Sequence, residues 1–240
     1  MNHINQKYPL VWEKDNLFIK IFCSIPNIST GIVITSKESI IVVDPGDGIL
    51  RDLNQDLGQA KILEISDIFI SHGHHDHVGG IWSLLTYLSV MKRTKPLNIY
   101  FPANCEEVIT IQNAFKKVYS HEIKFNINLI PIDNEKEIEL DDIKVISFKV
   151  NHKEQSSGNE ISVSVPALGF KFFNGNKSIC YGGDTAYCDN LVEMVKNSDL
   201  AIIEAGSEEK DNLEMHLSID EAIEIGKTAK EYFLVHMPQK

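Results

Sequence analysis

The chain reads as an α/β protein in which two β-sheets pack together with helices outside. Three observations predict this. Short runs rich in Val, Ile and Phe recur as clusters of consecutive strands, and several end in turn-forming residues. Toward the C-terminus, helical and strand patterns alternate instead. Runs of strands followed by alternation are the pattern of sheets covered by outer helices. The chain has 240 residues, 43% hydrophobic and 24% charged. That is enough for one large core, so a single domain over residues 1–240, compact or built of two closely packed halves, is expected.

Taken in order, the first strands are expected at "LFIKIFCSI", "TGIVITS" and "SIIVVDPG". The last of these runs into Asp44-Pro45-Gly46, a strand stopped by a tight turn. A polar stretch separates it from the short strand "DIFIS". From Ile81 to about Lys92 the apolar positions 81, 84, 85 and 88 mark one face of a helix. "LNIYF" then reads as a strand and "CEEVITIQNAFKKV" as a helix. A long β-rich region follows, with "INLIPI", "IKVISFKV", "ISVSVPALGFKFFN" and "SICYGGD". The closing alternation is "LVEMVKN" as helix, "LAIIEA" as strand, "SIDEAIEIGKTAK" as helix and "EYFLVH" as strand.

Lys and Arg number 23 against 34 Asp and Glu, a net charge of −11. Phosphate backbones are held mainly by Lys and Arg, so a nucleic-acid polymer or an anionic membrane is disfavoured as partner. A small ester substrate stays compatible, provided the site carries its own positive charge. The stretch "MNHINQKYPLVWEKDN" lacks the uninterrupted apolar core of a signal peptide, and nowhere do 18 apolar residues run together. Cys23, Cys105, Cys180 and Cys188 form no Cys-x-x-Cys pair. Reduced thiols in a cytoplasm are therefore expected, with Cys180 a small apolar core residue. A homodimer is compatible with the sequence.

The densest chemical signal is "SHGHHDHVGG", residues 71–80, where four of the nine histidines fall within six consecutive positions. The stretch lies between an expected strand and an expected helix, where loops on a rigid scaffold carry function. His72 and His74 are two apart, so in an extended loop their rings converge on one ion. Asp76 and His77 point elsewhere and reach a second. Imidazole with carboxylate suits Zn2+, Fe or Mn2+ rather than Ca2+ or Mg2+. Asp76 also sits just ahead of a helix start, where the helix dipole favours negative charge. The spacing differs from His-Glu-x-x-His, whose histidines need a helix to meet. Other polar residues receive plainer roles. His75 reads as a partly exposed bystander and His3 and His121 as surface residues. Ser71 reads as ending the strand by backbone hydrogen bonding, and Asp47 and Asp67 as turn residues.

The pattern His-x-His-x-Asp-His followed by Gly-Gly resembles the signature loop of the metallo-β-lactamase superfamily. The family pattern continues with a further His, a bridging Asp and a final His, each at a strand end. The chain has His152 in "FKVNHKE", Asp184 in "CYGGDT" and His236 in "FLVHMP", in that order. "VVDPGDG" is similar to the family's early strand–Asp–Gly turn, whose Asp, here Asp44, supports the metal ligands by hydrogen bonding. The likeness runs from Asp44 to His236. It implies a four-layer αββα sandwich of two mixed β-sheets with outer helices. It also implies two divalent transition-metal ions, Zn2+ first, with Fe or Mn2+ as alternatives. His72, His74 and His152 would hold the first ion, Asp76, His77 and His236 the second, and Asp184 would bridge them. Two ions roughly 3.5–4 Å apart lower the pKa of a trapped water from about 15.7 towards about 7, giving a bridging hydroxide nucleophile.

Three short stretches resemble the ribonuclease Z-like, phosphodiesterase branch of that superfamily. "GGDT" is similar to its Ser-Gly-Asp-Thr around the bridging aspartate. "IIEAG" resembles its His-Glu-Ala-Thr, keeping Glu204 and Ala205 but neither flanking residue. "MHLSIDEA" resembles its His-Ser-Thr ahead of a helix, with Leu217 inserted between His216 and Ser218. The likeness implies that Glu204 orients His216 and that His216 protonates the leaving alkoxide. Asp76, His216 and Glu204 are thus the residues expected to act in the chemistry. An alkoxide leaves phosphorus poorly without an acid, and a positioned His contributes about 10²–10⁴-fold. Bacterial ribonuclease Z inserts a tRNA-gripping arm between the third His and the bridging Asp. Here that separation is 184 − 152 = 32 positions, mostly taken by two strands, so no arm is expected. The function these residues imply is a phosphodiesterase acting on a small phosphodiester or cyclic nucleotide. A lactonase or thioesterase on the same metal site is the alternative, and a metal-bound binding module the non-enzymatic one.

Overall fold

The structure is a computed structural model that describes residues 7–23, 30–155, 162–210 and 215–238. His3 lies outside them. The chain divides into two compact units, one over Lys7–Pro131 and one over the described residues from Ile132 onward.

The first unit holds a seven-stranded sheet whose spatial order follows the chain, β1 (Leu10–Lys14), β2 (Leu17–Cys23), β3 (Thr30–Thr35), β4 (Ile40–Val43), β5 (Asp67–Phe69), β6 (Leu97–Pro102) and β7 (Ile127–Ile132). The first four strands pair antiparallel, whereas β4–β5 and β5–β6 are parallel. Parallel neighbours need a crossover, and helices supply it. α1 (Ile49–Asp56) and α2 (Gly58–Ile62) lead to β5. α3 (His75–Val78) and α4 (Ile81–Val90) lead to β6, and α5 (Glu106–Tyr119) leads to β7. Phe22, Val33, Val42, Ile68 and Ile99 on one sheet face form a single buried cluster with Ile49, Leu53, Leu84, Leu85, Leu88 and Phe115 of the helices. The apolar face expected on α4 is buried at all four positions. The "polar stretch" before β5 folds instead as α1 and α2, because Ile49, Leu53 and Ile62 bury while Arg51 and Lys61 face out. Asp67 is not a turn residue. It opens β5, is buried, and accepts a hydrogen bond from Asn98 Nδ2 at 2.9 Å.

The second unit holds a six-stranded sheet in the order β15 (Glu231–Val235), β14 (Leu200–Glu204), β13 (Lys177–Tyr181), β12 (Leu168–Asn174), β9 (Lys144–Lys149) and β8 (Glu137–Glu139). β13, β14 and β15 are parallel and the remaining pairs antiparallel, so this sheet is mixed too. α6 (Asp189–Val195) and α7 (Ile219–Gly226) are the crossovers, packing Leu191, Val195, Ala222 and Ile225 on Cys180, Ala201 and Ile203. The stretch "ISVSVPALGFKFFN", expected as one strand, is broken. Ser162–Ser164 (β11) pairs with Lys153–Gln155 (β10) as a separate ribbon, and β12 starts only after Pro166, which has no N–H to give a ladder. Cys180 is fully buried, and that burial pushes its thiol up to about 12. No described helix is long and apolar enough to cross a membrane.

In both sheets the polar residues singled out above stand at the carboxyl ends of strands. Asp44 follows β4 and Ser71 to His77 follow β5. His152 comes shortly after β9, Asp184 after β13 and His236 directly after β15, while Glu204 closes β14. The carboxyl ends of strands in α/β sheets are where ligands bind.

Candidate functional site

In the first unit the chain leaves β5 extended through His74, at φ −63° and ψ 148°, and then turns into the single helical turn of α3. The extended part carries His72 and His74 and the turn carries Asp76 and His77. His72 and His74 each offer a donor atom within 4.8 Å of the other's, and so do Asp76 and His77. His72 and His77 are fully buried. Asp76, expected just ahead of a helix start, lies inside this turn, and the His77 ring packs against that of His72 with 4.1 Å between centroids.

Asp44 organises this loop. It is fully buried, with a left-handed φ of 46° that turns its side chain off the end of β4. Oδ1 accepts the Ser71 N–H at 2.6 Å, and Oδ2 accepts Ser71 Oγ–H at 2.6 Å and His77 Nδ1–H at 2.9 Å. A carboxylate only accepts, so the proton of His77 must sit on Nδ1. Ser71 has spent its own proton on Asp44, so it accepts from His72 Nδ1 at 3.0 Å. Both imidazoles are thereby fixed in the tautomer whose Nε2 carries a lone pair. Ser71 is more than the strand-ending residue expected, since its hydroxyl relays the tautomer of His72. No local sequence signal marks that role. His75 is exposed, as expected, with its ring close over Gly79. His121 and Asp47 are exposed as well.

The second unit brings together His152, Asp184, Glu204, His216 and His236. His152 is buried and donates from Nδ1 to the Met215 carbonyl at 3.0 Å, which again presents Nε2. Asp184 follows Gly183, whose φ of 64° makes the turn off β13. Its Oδ2 lies 3.4 Å from His236 Nε2 and 3.9 Å from His216 Nδ1. His236 itself has a left-handed φ of 54° directly after β15. Such strained backbone in a non-glycine residue persists only where the surroundings hold it, and it clusters at functional sites.

Glu204 is the anchor here. Its Oε1 accepts from Thr185 N at 3.1 Å and Leu217 N at 2.9 Å, and its Oε2 accepts from Gly206 N at 2.6 Å. His216 Nδ1 stands 3.3 Å from Oε1, an ion-pair contact rather than a well-aligned hydrogen bond. The His216 ring stacks on His236 at 5.2 Å between centroids, with 19° between planes. Burial pulls the His216 pKa down, but the Glu204 contact and the Glu204 and Asp184 charges outweigh it and leave the imidazole above its ordinary value. Burial pushes the Glu204 carboxyl up, against the lowering effect of His216.

The donor set fits divalent transition metals. His77 Nε2, a lone-pair acceptor in the tautomer fixed by Asp44, faces Asp76 Oδ2 at 3.3 Å. Two acceptors at that distance repel, and a shared cation removes the repulsion. The tautomer argument also carries a prediction. Asp44→Asn keeps the shape but presents an amide N–H to Ser71 Oγ or His77 Nδ1, forcing a tautomer to change. Metal affinity should fall roughly 10–100-fold, the usual cost of losing such a hydrogen-bond partner of a ligand. A titration with a chromophoric chelator that finds unchanged affinity would refute the assigned tautomers.

Histidines and carboxylates at the carboxyl ends of strands in two mixed, helix-covered sheets define a metal-dependent hydrolase. Residues 40–237 match the family described as the beta-lactamase superfamily domain, and the chain belongs to that family, on its ribonuclease Z-like branch. It is 25% identical to Ribonuclease Z of Methanothermobacter thermautotrophicus, over 87% of this chain and 80% of that one. It is 27% identical to Ribonuclease Z of Pyrococcus horikoshii, over 85% and 78%. Among solved structures, the metallo-beta-lactamase fold protein YhfI from Bacillus subtilis superposes with TM-score 0.72 at 20% identity, covering 95% of this chain and 88% of that one. Human tRNase Z, short form, gives 0.69 at 22% identity, covering 88% and 86%. These structural likenesses establish the fold.

Proposed function

We propose that the two units work as one dinuclear metal-dependent phosphodiesterase domain acting on a small phosphodiester or cyclic nucleotide. The observation that carries this reading is His216 held at 3.3 Å from a buried glutamate that three backbone N–H groups fix in place. A thioesterase has less use for such an acid, because its thiolate departs with little help; a lactone also expels an alkoxide, so the assays below separate it from a phosphodiester. His72, His74 and His152 would hold one ion, Asp76, His77 and His236 the other, and Asp184 would contact both, with Zn2+ the first choice. When bound, such a pair supplies an activated water nucleophile and Lewis acidity toward the phosphoryl oxygens. With Nδ1 turned to Glu204, His216 would deliver its proton to the leaving alkoxide from Nε2. Glu204 keeps the ring oriented and offsets the positive charge before delivery.

A small substrate is favoured over a tRNA by the net charge of −11 and by the segment between His152 and Asp184, whose described residues are taken up by β10 to β13. Among the described residues no two cysteines are joined in a disulfide, in keeping with a cytoplasmic protein. Purified protein never exposed to chelator should carry close to two transition-metal ions per chain by elemental analysis, and none would count against the ligand assignment. The substrate reading is tested by assaying metal-loaded protein on p-nitrophenyl phosphodiesters, a homoserine lactone, a thioester and precursor tRNA. Phosphodiester turnover should dominate. Lactone or thioester turnover exceeding it would favour the alternative chemistry, and efficient 3′ trimming of precursor tRNA would overturn the assignment to small substrates.

A further inference from the structure

We infer that Gly206 is a positioning residue for His216, the missing side chain at 206 being what lets the imidazole lie against Glu204. This rests on the reading of His216 as the acid. A β-carbon built on Gly206 would stand 2.8 Å from His216 Cγ, 2.9 Å from its Nδ1 and 3.1 Å from Glu204 Oε2. Non-bonded carbon atoms settle at about 3.5–4.0 Å, so these three groups cannot all stay where they are.

Neither neighbour of the ring can retreat. Glu204 is buried and takes the N–H groups of Thr185, Gly206 and Leu217. The backbone around 206 is tied on both sides, with Ala205 N–H donating to the Val235 carbonyl at 2.9 Å and Ser207 N–H to the Leu217 carbonyl at 3.1 Å. Only the His216 ring, whose side chain is 22% exposed, has room to move. Its Nδ1 already stands 3.3 Å from Oε1, beyond the roughly 2.7–2.9 Å of a strong charge-assisted bond, so any outward push breaks the contact.

Backbone conformation does not demand glycine here. Among the described residues the glycines with positive φ are 48, 58, 175 and 183, so residue 206 would accept an alanine on conformational grounds. What excludes a side chain is the ring. Two of the departures from the family pattern, glycine at 206 and Leu217 inserted after His216, become one device. The N–H of Leu217 clamps Glu204 while the bare α-carbon of Gly206 leaves the space the imidazole fills.

The test is a double-mutant cycle of Gly206→Ala and His216→Ala, read with alkyl and p-nitrophenyl phosphodiesters, metal content and the ring signals of His216 in long-range 1H–15N spectra. G206A should slow alkyl ester hydrolysis at least about tenfold, bounded by the roughly 10²–10⁴-fold a positioned acid supplies. It should spare p-nitrophenyl esters, keep metal content and shift the ring signals. In the H216A background the same change should cost less than about twofold, since the group it displaces is gone. Full activity of G206A on alkyl esters while H216A is impaired would overturn the inference, and so would equal losses in both backgrounds. If H216A shows no leaving-group dependence, the acid reading itself fails. The ring signals then decide alone, a shift keeping the positioning role and no shift ending it. If G206A does not fold, a folded G206A/H216A double variant locates the clash at the ring, and an unfolded one overturns the proposal.

Discussion

Asp184→Ala is expected to abolish hydrolysis and to strip both metal ions from the purified protein. Within the second unit the proposed ligands are His152, Asp184 and His236, and Asp184 is the only one that carries a negative charge. Its Oδ2 sits 3.4 Å from His236 Nε2 on a loop that turns at Gly183 and is tied to Glu204 through the Thr185 N–H. On the proposed assignment, removing Asp184 would take a donor from both ions at once. The loss of affinity should therefore exceed the roughly 10–100-fold typical of changes to the hydrogen-bond partners of ligands. Asp184→Asn separates charge from shape, since the amide keeps the volume and one acceptor oxygen but not the anion. It should retain the fold and still bind metal poorly. Elemental analysis after extended dialysis, beside a thermal melt of the metal-free proteins, makes the measurement. Two tightly held ions in the Asp184→Ala variant would remove Asp184 from the bridging role.

His216→Ala should keep both ions yet slow hydrolysis of a poor alkoxide leaving group by about 10²–10⁴-fold. With p-nitrophenolate, which departs with little protonation, the loss should shrink markedly. Glu204→Gln should follow the same leaving-group pattern more weakly in rate but cost more in stability. The Glu204 carboxylate accepts three backbone N–H groups, and the amide can serve only those facing its oxygen. A buried donor left unsatisfied costs on the order of 1–3 kcal/mol, which a denaturant melt resolves. Equal rate losses for good and poor leaving groups, with metal content intact, would sink the acid assignment and leave His216 a substrate-binding residue at most.

Much of this protein was legible in one dimension. The β-branched runs of β3 and β4, the apolar runs of β2 and β14 and the apolar faces of α4 and α5 are local patterns, and they fold as those patterns predict. The seven ligand-type residues are likewise a matter of residue type and order along the chain. Weaker local signals misled. α1 and α2 lie in a stretch whose average is polar, and β11 and β12 were joined across a proline whose missing N–H ends the ladder.

Only the tertiary structure decided how the side chains are held. Asp44 meets Ser71 across 27 positions and His77 across 33, and from those contacts follow the tautomers of His72 and His77. Glu204 reaches Leu217 across 13 positions, and Gly206 meets the ring of His216 over a similar span. The physical reason is the range of the interactions. Periodicity and turn chemistry act over a few residues and so appear in any short window of sequence. A hydrogen bond that selects one imidazole nitrogen, or a contact that leaves no room for a methyl group, depends on tenths of an ångström between segments that only folding brings together.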